Sequence, residues 1–168
     1  MKINHFVHGN FIPPKKTLLS PEEMGKIYDC FVLPFVDVLP VSEDGKILLG
    51  LRKTEPKTWW TVGKGIIPGE TLAETAKKVL QEELGINANP SRFKLICINS
   101  SVYEIREQPP KENGRATLIM VFSILIKQKE IRNLISQSGK YHALKWFPCP
   151  KINKDFDPVI RKTVKALI

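Results

Sequence analysis

The sequence predicts a mixed β-sheet packed against helices, an α/β (α+β) sandwich, and three observations carry that prediction. β-rich runs alternate with helical ones along the chain. An Asp44-Gly45 pair, a strong hairpin signal, joins two of the β-rich runs. A glycine-rich stretch then leads straight into a helix whose start and stop are both marked.

Residues 1–20 are polar and contain Pro13 and Pro14, which suits an irregular arm or an edge strand. Ser20 followed by Pro21 reads as an N-cap and first helical position, opening a short helix that should end near Tyr28. Residues 31–41 and 46–52 are the two strands of the hairpin. A polar loop over 53–57, Trp59-Trp60 and the turn Gly63-Lys-Gly-Ile-Ile-Pro-Gly follow. Thr71 and Glu74 make a capping box, and Gly85 is placed to end that helix after Leu84. Further strands are expected over 93–101, 116–127 and 143–147, a short helix over 129–137, and an amphipathic helix over 158–168. The long polar loop over 104–114, with Pro109-Pro110 and Asn113-Gly114, is of the kind that often carries function.

A length of 168 residues fits one domain spanning 1–168, with an N-terminal arm and short helix over 1–30. Its longest apolar stretch, 116–126, is far short of the ~20 residues of a membrane helix. The N-terminus has no apolar signal-peptide core, so a cytoplasmic protein is expected. Cys30, Cys97 and Cys149 are odd in number and widely spaced, which argues for reduced thiols over a disulfide or zinc framework. The net charge of +9 favours anionic partners. Phosphorylated metabolites and nucleic acids both qualify, but the basic residues are scattered and Arg161, Lys162 and Lys165 lack interleaved aromatics, so a solvated basic surface suits better than a nucleic-acid interface.

The chemistry concentrates around the capped helix. Val79, Glu82 and Glu83 share a helical face. Two carboxylates near a loop carbonyl suit a hard cation such as Mg²⁺, and two glutamates at a helix C-terminus call for positive compensation. A solvated acidic patch is the plain alternative.

Residues 63–86, GKGIIPGETLAETAKKVLQEELGI, resemble the Nudix box, G-x5-E-x7-R-E-U-x-E-E-x-G-U, with its spacing kept. Glu70, Leu80, Glu82, Glu83, Gly85 and Ile86 match, while Lys64 takes the first glycine position, Lys78 the arginine and Val79 the glutamate after it. The resemblance implies the Nudix fold, an α/β/α sandwich with a central mixed sheet, and a metal-dependent hydrolase. Val79 can neither hold a metal nor activate water.

The GDP-mannose mannosyl hydrolase branch lacks that same glutamate, and K-V-L-Q-E-E-L-G is similar to its motif ending. Asp37 precedes Arg52, in LLGLR, by the branch's interval of fifteen residues, and Trp59 matches a Trp before its turn. The resemblance implies water attack at the anomeric carbon, with a nucleoside diphosphate leaving. Gly63 and Glu83 would hold Mg²⁺ (or Mn²⁺), supported by Glu70 and Glu82. Arg52 would assist the diphosphate, and Asp37 would contact the sugar or orient Arg52. Gly65 stands where the branch has an arginine, so phosphate neutralisation leans on Arg52, Lys64 or Arg115. The branch's general base is a loop histidine ahead of a Trp-containing strand. His142 lies four residues before Trp146, one fewer than that pattern. In a strand the offset turns the side chain to the other face; in a loop it need not.

The expected substrate is a nucleoside diphosphate-linked small molecule, and the resemblance implies a homodimer. Two other readings stay open. One is a phosphoanhydride-cleaving hydrolase using Glu70, Glu82, Glu104 or Glu107 as its base. The other is a nucleotide-binding domain without catalysis.

Overall fold

Capping explains both helices that the sequence marks clearly. In the computed structural model, which describes residues 3–13, 18–131 and 139–168, α1 spans Pro21–Cys30. The Ser20 hydroxyl accepts from the Glu23 N–H at 3.2 Å, and the Glu23 carboxylate accepts from the Ser20 N–H at 2.8 Å. The helix runs two residues past its expected end. The long helix α2, Leu72–Leu84, starts on the Thr71–Glu74 capping box and stops at Gly85, whose φ of +72° is left-handed. Thr71→Ala should lower stability by about 1 kcal/mol in urea denaturation, because the Glu74 N–H loses its acceptor.

Seven strands form one mixed sheet among the described residues: β1 (Leu33–Ser42), β2 (Lys46–Arg52), β3 (Trp59–Trp60), β4 (Val62–Gly65), β5 (Lys94–Tyr103), β6 (Arg115–Ile126) and β7 (Tyr141–Pro148). The order β3-β2-β1-β6-β5 is completed by β4 on β1 and β7 on β2. β1 lies parallel to β6 over its whole length, from Leu33↔Thr117 to Ser42↔Ile126, and the other pairings are antiparallel. Gly63, expected in a turn, is instead in β4 opposite Asp37. Pairing with β1 satisfies the backbone there, and the turn begins only after Gly65.

Alternation along the strands divides the core between two faces. On one, Val36, Val38, Leu48, Phe122 and Ile124 pack against Ala76, Val79, Leu80 and Leu84 of α2. On the other, Leu39, Ile47, Leu49 and Val121 pack against Ile160 and Val164 of α4 (Pro158–Leu167, numbered after the turn α3, Gln128–Ile131). Helices thus cover both faces, as a sandwich requires. Val79 is fully buried, so the residue that departs from the box is part of the core beneath α2. The helix expected over 129–137 has only its first turn, α3, in view; 132–137 lie outside the described residues. Residues 3–13 of the arm contain no strand. The three cysteines are free thiols, and among the described residues no helix is long and apolar enough to cross a membrane.

Candidate active site

Asp37 sits mid-strand in β1, where alternation turns it away from α2. It is 5% exposed and lines a pocket with Arg52, Gly63, Tyr103, Arg115, Lys140 and Tyr141. The Trp60 indole donates to Asp37 Oδ2 at 3.1 Å, and the Thr61 hydroxyl donates to the same oxygen at 2.5 Å. Burial pushes its pKa up to about 6, although Thr61, the positive charge of Arg52 and Trp60 all pull the other way. A Cβ on Gly63 would collide with Asp37 Oδ1, so the pairing partner of Asp37 has to be glycine.

Cations line the wall above it. Arg52 ends β2 and donates to the Thr54 hydroxyl at 3.3 Å. Burial and then the nearby charge of Arg115 lower its guanidinium pKa, while Asp37, Tyr141 and Tyr103 act against them. Arginine stays charged in such surroundings. Arg115 donates to the Glu55 carbonyl at 3.1 Å and lies over the Tyr103 ring, 5.0 Å from its centroid, with Tyr28 at 5.8 Å. Burial raises the phenol pKa of both Tyr103 and Tyr141, with Glu83 and Asp37 adding to the rise at Tyr141. The Tyr141 ring occupies the space that a Cβ on Gly50 would take. The arrangement sets two guanidinium groups beside a buried carboxylate whose pKa is pushed up to about 6.

The box carboxylates are each met by a lysine. Lys64 pairs with Glu82 at 2.7 Å, Lys78 with Glu70, and Lys140 with Glu83. Glu70 also accepts from the Thr75 hydroxyl at 3.1 Å. Glu83 is 1% exposed, and its Oε2 is buried with no hydrogen-bond partner. Such an orphaned carboxylate oxygen is a candidate ligand for a cation. Among the described residues no three His, Cys, Asp or Glu side chains group to hold a metal. Glu83 can thus offer one oxygen to a single ion whose other ligands are not carboxylates, and no acidic cluster for several ions is present among the described residues.

Of the residues expected from sequence, the fold brings Asp37, Arg52, Gly63 and Arg115 together. Glu83 reaches the pocket through Lys140. Glu70 and Glu82 are turned to Lys78 and Lys64, and none of the three is among the pocket-lining residues. Trp59 packs edge-on against Phe147 at 4.9 Å, and its neighbour Trp60 faces Asp37 instead. His142 is exposed and outside the pocket lining. It lies within β7 at a register irregularity, where Leu51 faces Ala143 and Arg52 faces Tyr141, so Tyr141 and not His142 meets the site. Lys140, Tyr103, Tyr141, Trp60 and Thr61 were not expected. Only the one-residue offset of His142 hinted at Tyr141.

The family model described as the NUDIX domain matches residues 33–167. The chain belongs to this family. A search of curated protein sequences gave no match. Solved structures share the Nudix fold at low identity. A MutT NUDIX hydrolase from Burkholderia pseudomallei is 20% identical, with 82% of this chain and 99% of that one covered and a TM-score of 0.65. The NUDIX domain of Shewanella oneidensis NrtR, complexed with ADP ribose, is 17% identical over 82% and 90%, with a TM-score of 0.58. A MutT/nudix family protein from Enterococcus faecalis is 18% identical with a TM-score of 0.54. The match covers 70% of this chain but spans only 44% of that protein's length.

Proposed function

We propose that this NUDIX-domain protein is a hydrolase of a nucleoside diphosphate joined to a second group, and that it cleaves the C–O bond to a sugar. The observation that carries this reading is the placement of Asp37. The carboxylate suited to proton transfer is on β1 beside Arg52 and Arg115, not on the box helix, where Val79 is core. Asp37 takes a proton from water as the water oxygen bonds to the anomeric carbon. The C–O bond breaks, and its electron pair leaves with the diphosphate. Arg52 and Arg115 hold that diphosphate as its charge grows. Tyr103 and Tyr141 narrow the pocket around the sugar. Glu83, with the Gly63 carbonyl, would hold Mg²⁺ or Mn²⁺, which when bound supplies further charge neutralisation at the diphosphate.

The test is a panel of nucleotide sugars, GDP-mannose included, incubated in ¹⁸O water with Mg²⁺. Free sugar carrying the label, with an intact nucleoside diphosphate, is expected. Label on phosphate, with a nucleoside monophosphate released, overturns C–O cleavage and favours the second reading, phosphoanhydride hydrolysis. That reading draws support from the ADP ribose bound by the Shewanella NUDIX domain. Nucleotide binding with no turnover would mark a domain without catalysis. One domain over 1–168, assembled as a homodimer, completes the proposal; sedimentation velocity checks the assembly.

A further inference from the structure

Lys140 joins two charge systems, the box carboxylates of α2 and the pocket around Asp37. Its ammonium pairs with Glu83 under α2, and it lines the pocket, where its charge acts on Asp37. Its backbone is fixed, since its carbonyl accepts from the Lys53 N–H at 3.0 Å and the next residue, Tyr141, is buried. Its side chain is 53% exposed, whereas that of Glu83 is 1% exposed. A buried carboxylate thus has one oxygen neutralised by a long, half-exposed chain and the other left without a hydrogen bond.

Each box carboxylate carries a lysine, and Glu83 is the one that also has a buried oxygen accepting no hydrogen bond. An ammonium and a divalent ion on one carboxylate repel each other, and the ion demands short, directed contacts that an ammonium does not. We propose that Lys140 is an internal counter-cation that competes with a divalent ion for Glu83. Ion binding turns its ammonium from Glu83 to the phosphates of the substrate in the pocket. Metal-free protein then keeps Glu83 neutralised, and ion and substrate bind in support of each other. The inference rests on the one-ion reading of Glu83.

The test is Mn²⁺ binding, followed by loss of the free-ion paramagnetic resonance signal, with ADP binding measured by calorimetry. Lys140→Met should bind Mn²⁺ roughly tenfold more tightly than wild type, a shift of about 1.4 kcal/mol. With Mn²⁺ saturating, the same variant should bind ADP several-fold more weakly. Lys140→Gln, which keeps a polar chain, should shift Mn²⁺ binding the same way and serves if the methionine variant folds poorly. Glu83→Gln should lose the ion. If Glu83→Gln loses Mn²⁺ but neither lysine variant gains affinity, competition by Lys140 is overturned while the ion site stands. If Glu83→Gln binds Mn²⁺ as wild type does, the one-ion reading falls, and the competition with it.

Discussion

Asp37→Asn should lower turnover by about 10²- to 10⁴-fold, the usual contribution of a positioned general base. Asparagine preserves the shape and still offers an oxygen to Trp60 and Thr61, the two donors on Asp37 Oδ2. What it cannot do is take a proton. The pH profile gives a sharper reading than the loss itself. Burial holds the Asp37 pKa at about 6, so the competent anion forms as pH rises through that value and wild-type activity should climb with it.

Stability should move the opposite way. Between its ordinary value of 3.8 and about 6, folded protein keeps a proton on Asp37 that the unfolded chain has released. The contribution is therefore full below the lower value and is lost as pH rises through the upper one. Asp37→Asn should remove this slope from urea denaturation measured between pH 4 and 7. An acid limb that persists in the variant's residual activity would assign the titration to another group.

Arg106→Ala should cost about 3 kcal/mol of stability, near the upper end for one residue, by leaving several carbonyl groups without their donor. The Arg106 side chain is fully buried. Its Nε donates to the Gln108 carbonyl at 3.0 Å, and its two terminal nitrogens donate to Gly114 at 3.0 Å, Pro109 at 3.4 Å and the Asp29 carboxylate at 2.7 Å. Arg106 thereby gathers the loop over 104–114 around one guanidinium and ties it to the end of α1. The same contact, with help from Asn113, holds the Asp29 carboxyl below the usual carboxylate range. Asp29 lies at the solvent edge, so the ion pair accounts for little of the loss. The loop ends at Arg115, and α1 carries Tyr28, which stacks near both arginines. The variant should therefore raise KM more than it lowers kcat. An unchanged KM in folded variant protein would separate the loop from the pocket.

The helices were legible because caps and periodicity are local. Ser20, Thr71 and Gly85 act within a few residues of themselves, and each behaves in the fold as its type and spacing require. The Asp37–Arg52 interval was legible only through a resemblance; no rule of local structure connects a mid-strand aspartate to an arginine fifteen residues on. Glycine permits turns, so residue type alone puts Gly63 in one, whereas it lies in β4. Its actual requirement is a neighbouring carboxylate on another strand. His142 takes the role of base only through the resemblance, and a register irregularity in β7 gives the inward position to Tyr141. Arg106 gave no signal at all, since a lone arginine in a polar loop reads as solvated until the loop closes around it.

Sequence by itself determined the box, its spacing, the capped helix and the apolar Val79, because these depend on residue identity and short-range order. Tertiary structure alone decided that Asp37 is buried enough to titrate near neutrality, that Arg52 and Arg115 converge on it, and that Lys140 reaches from this pocket to Glu83. Those facts depend on strand register and on which side chains exclude water. Both are set by pairings between segments far apart in the chain.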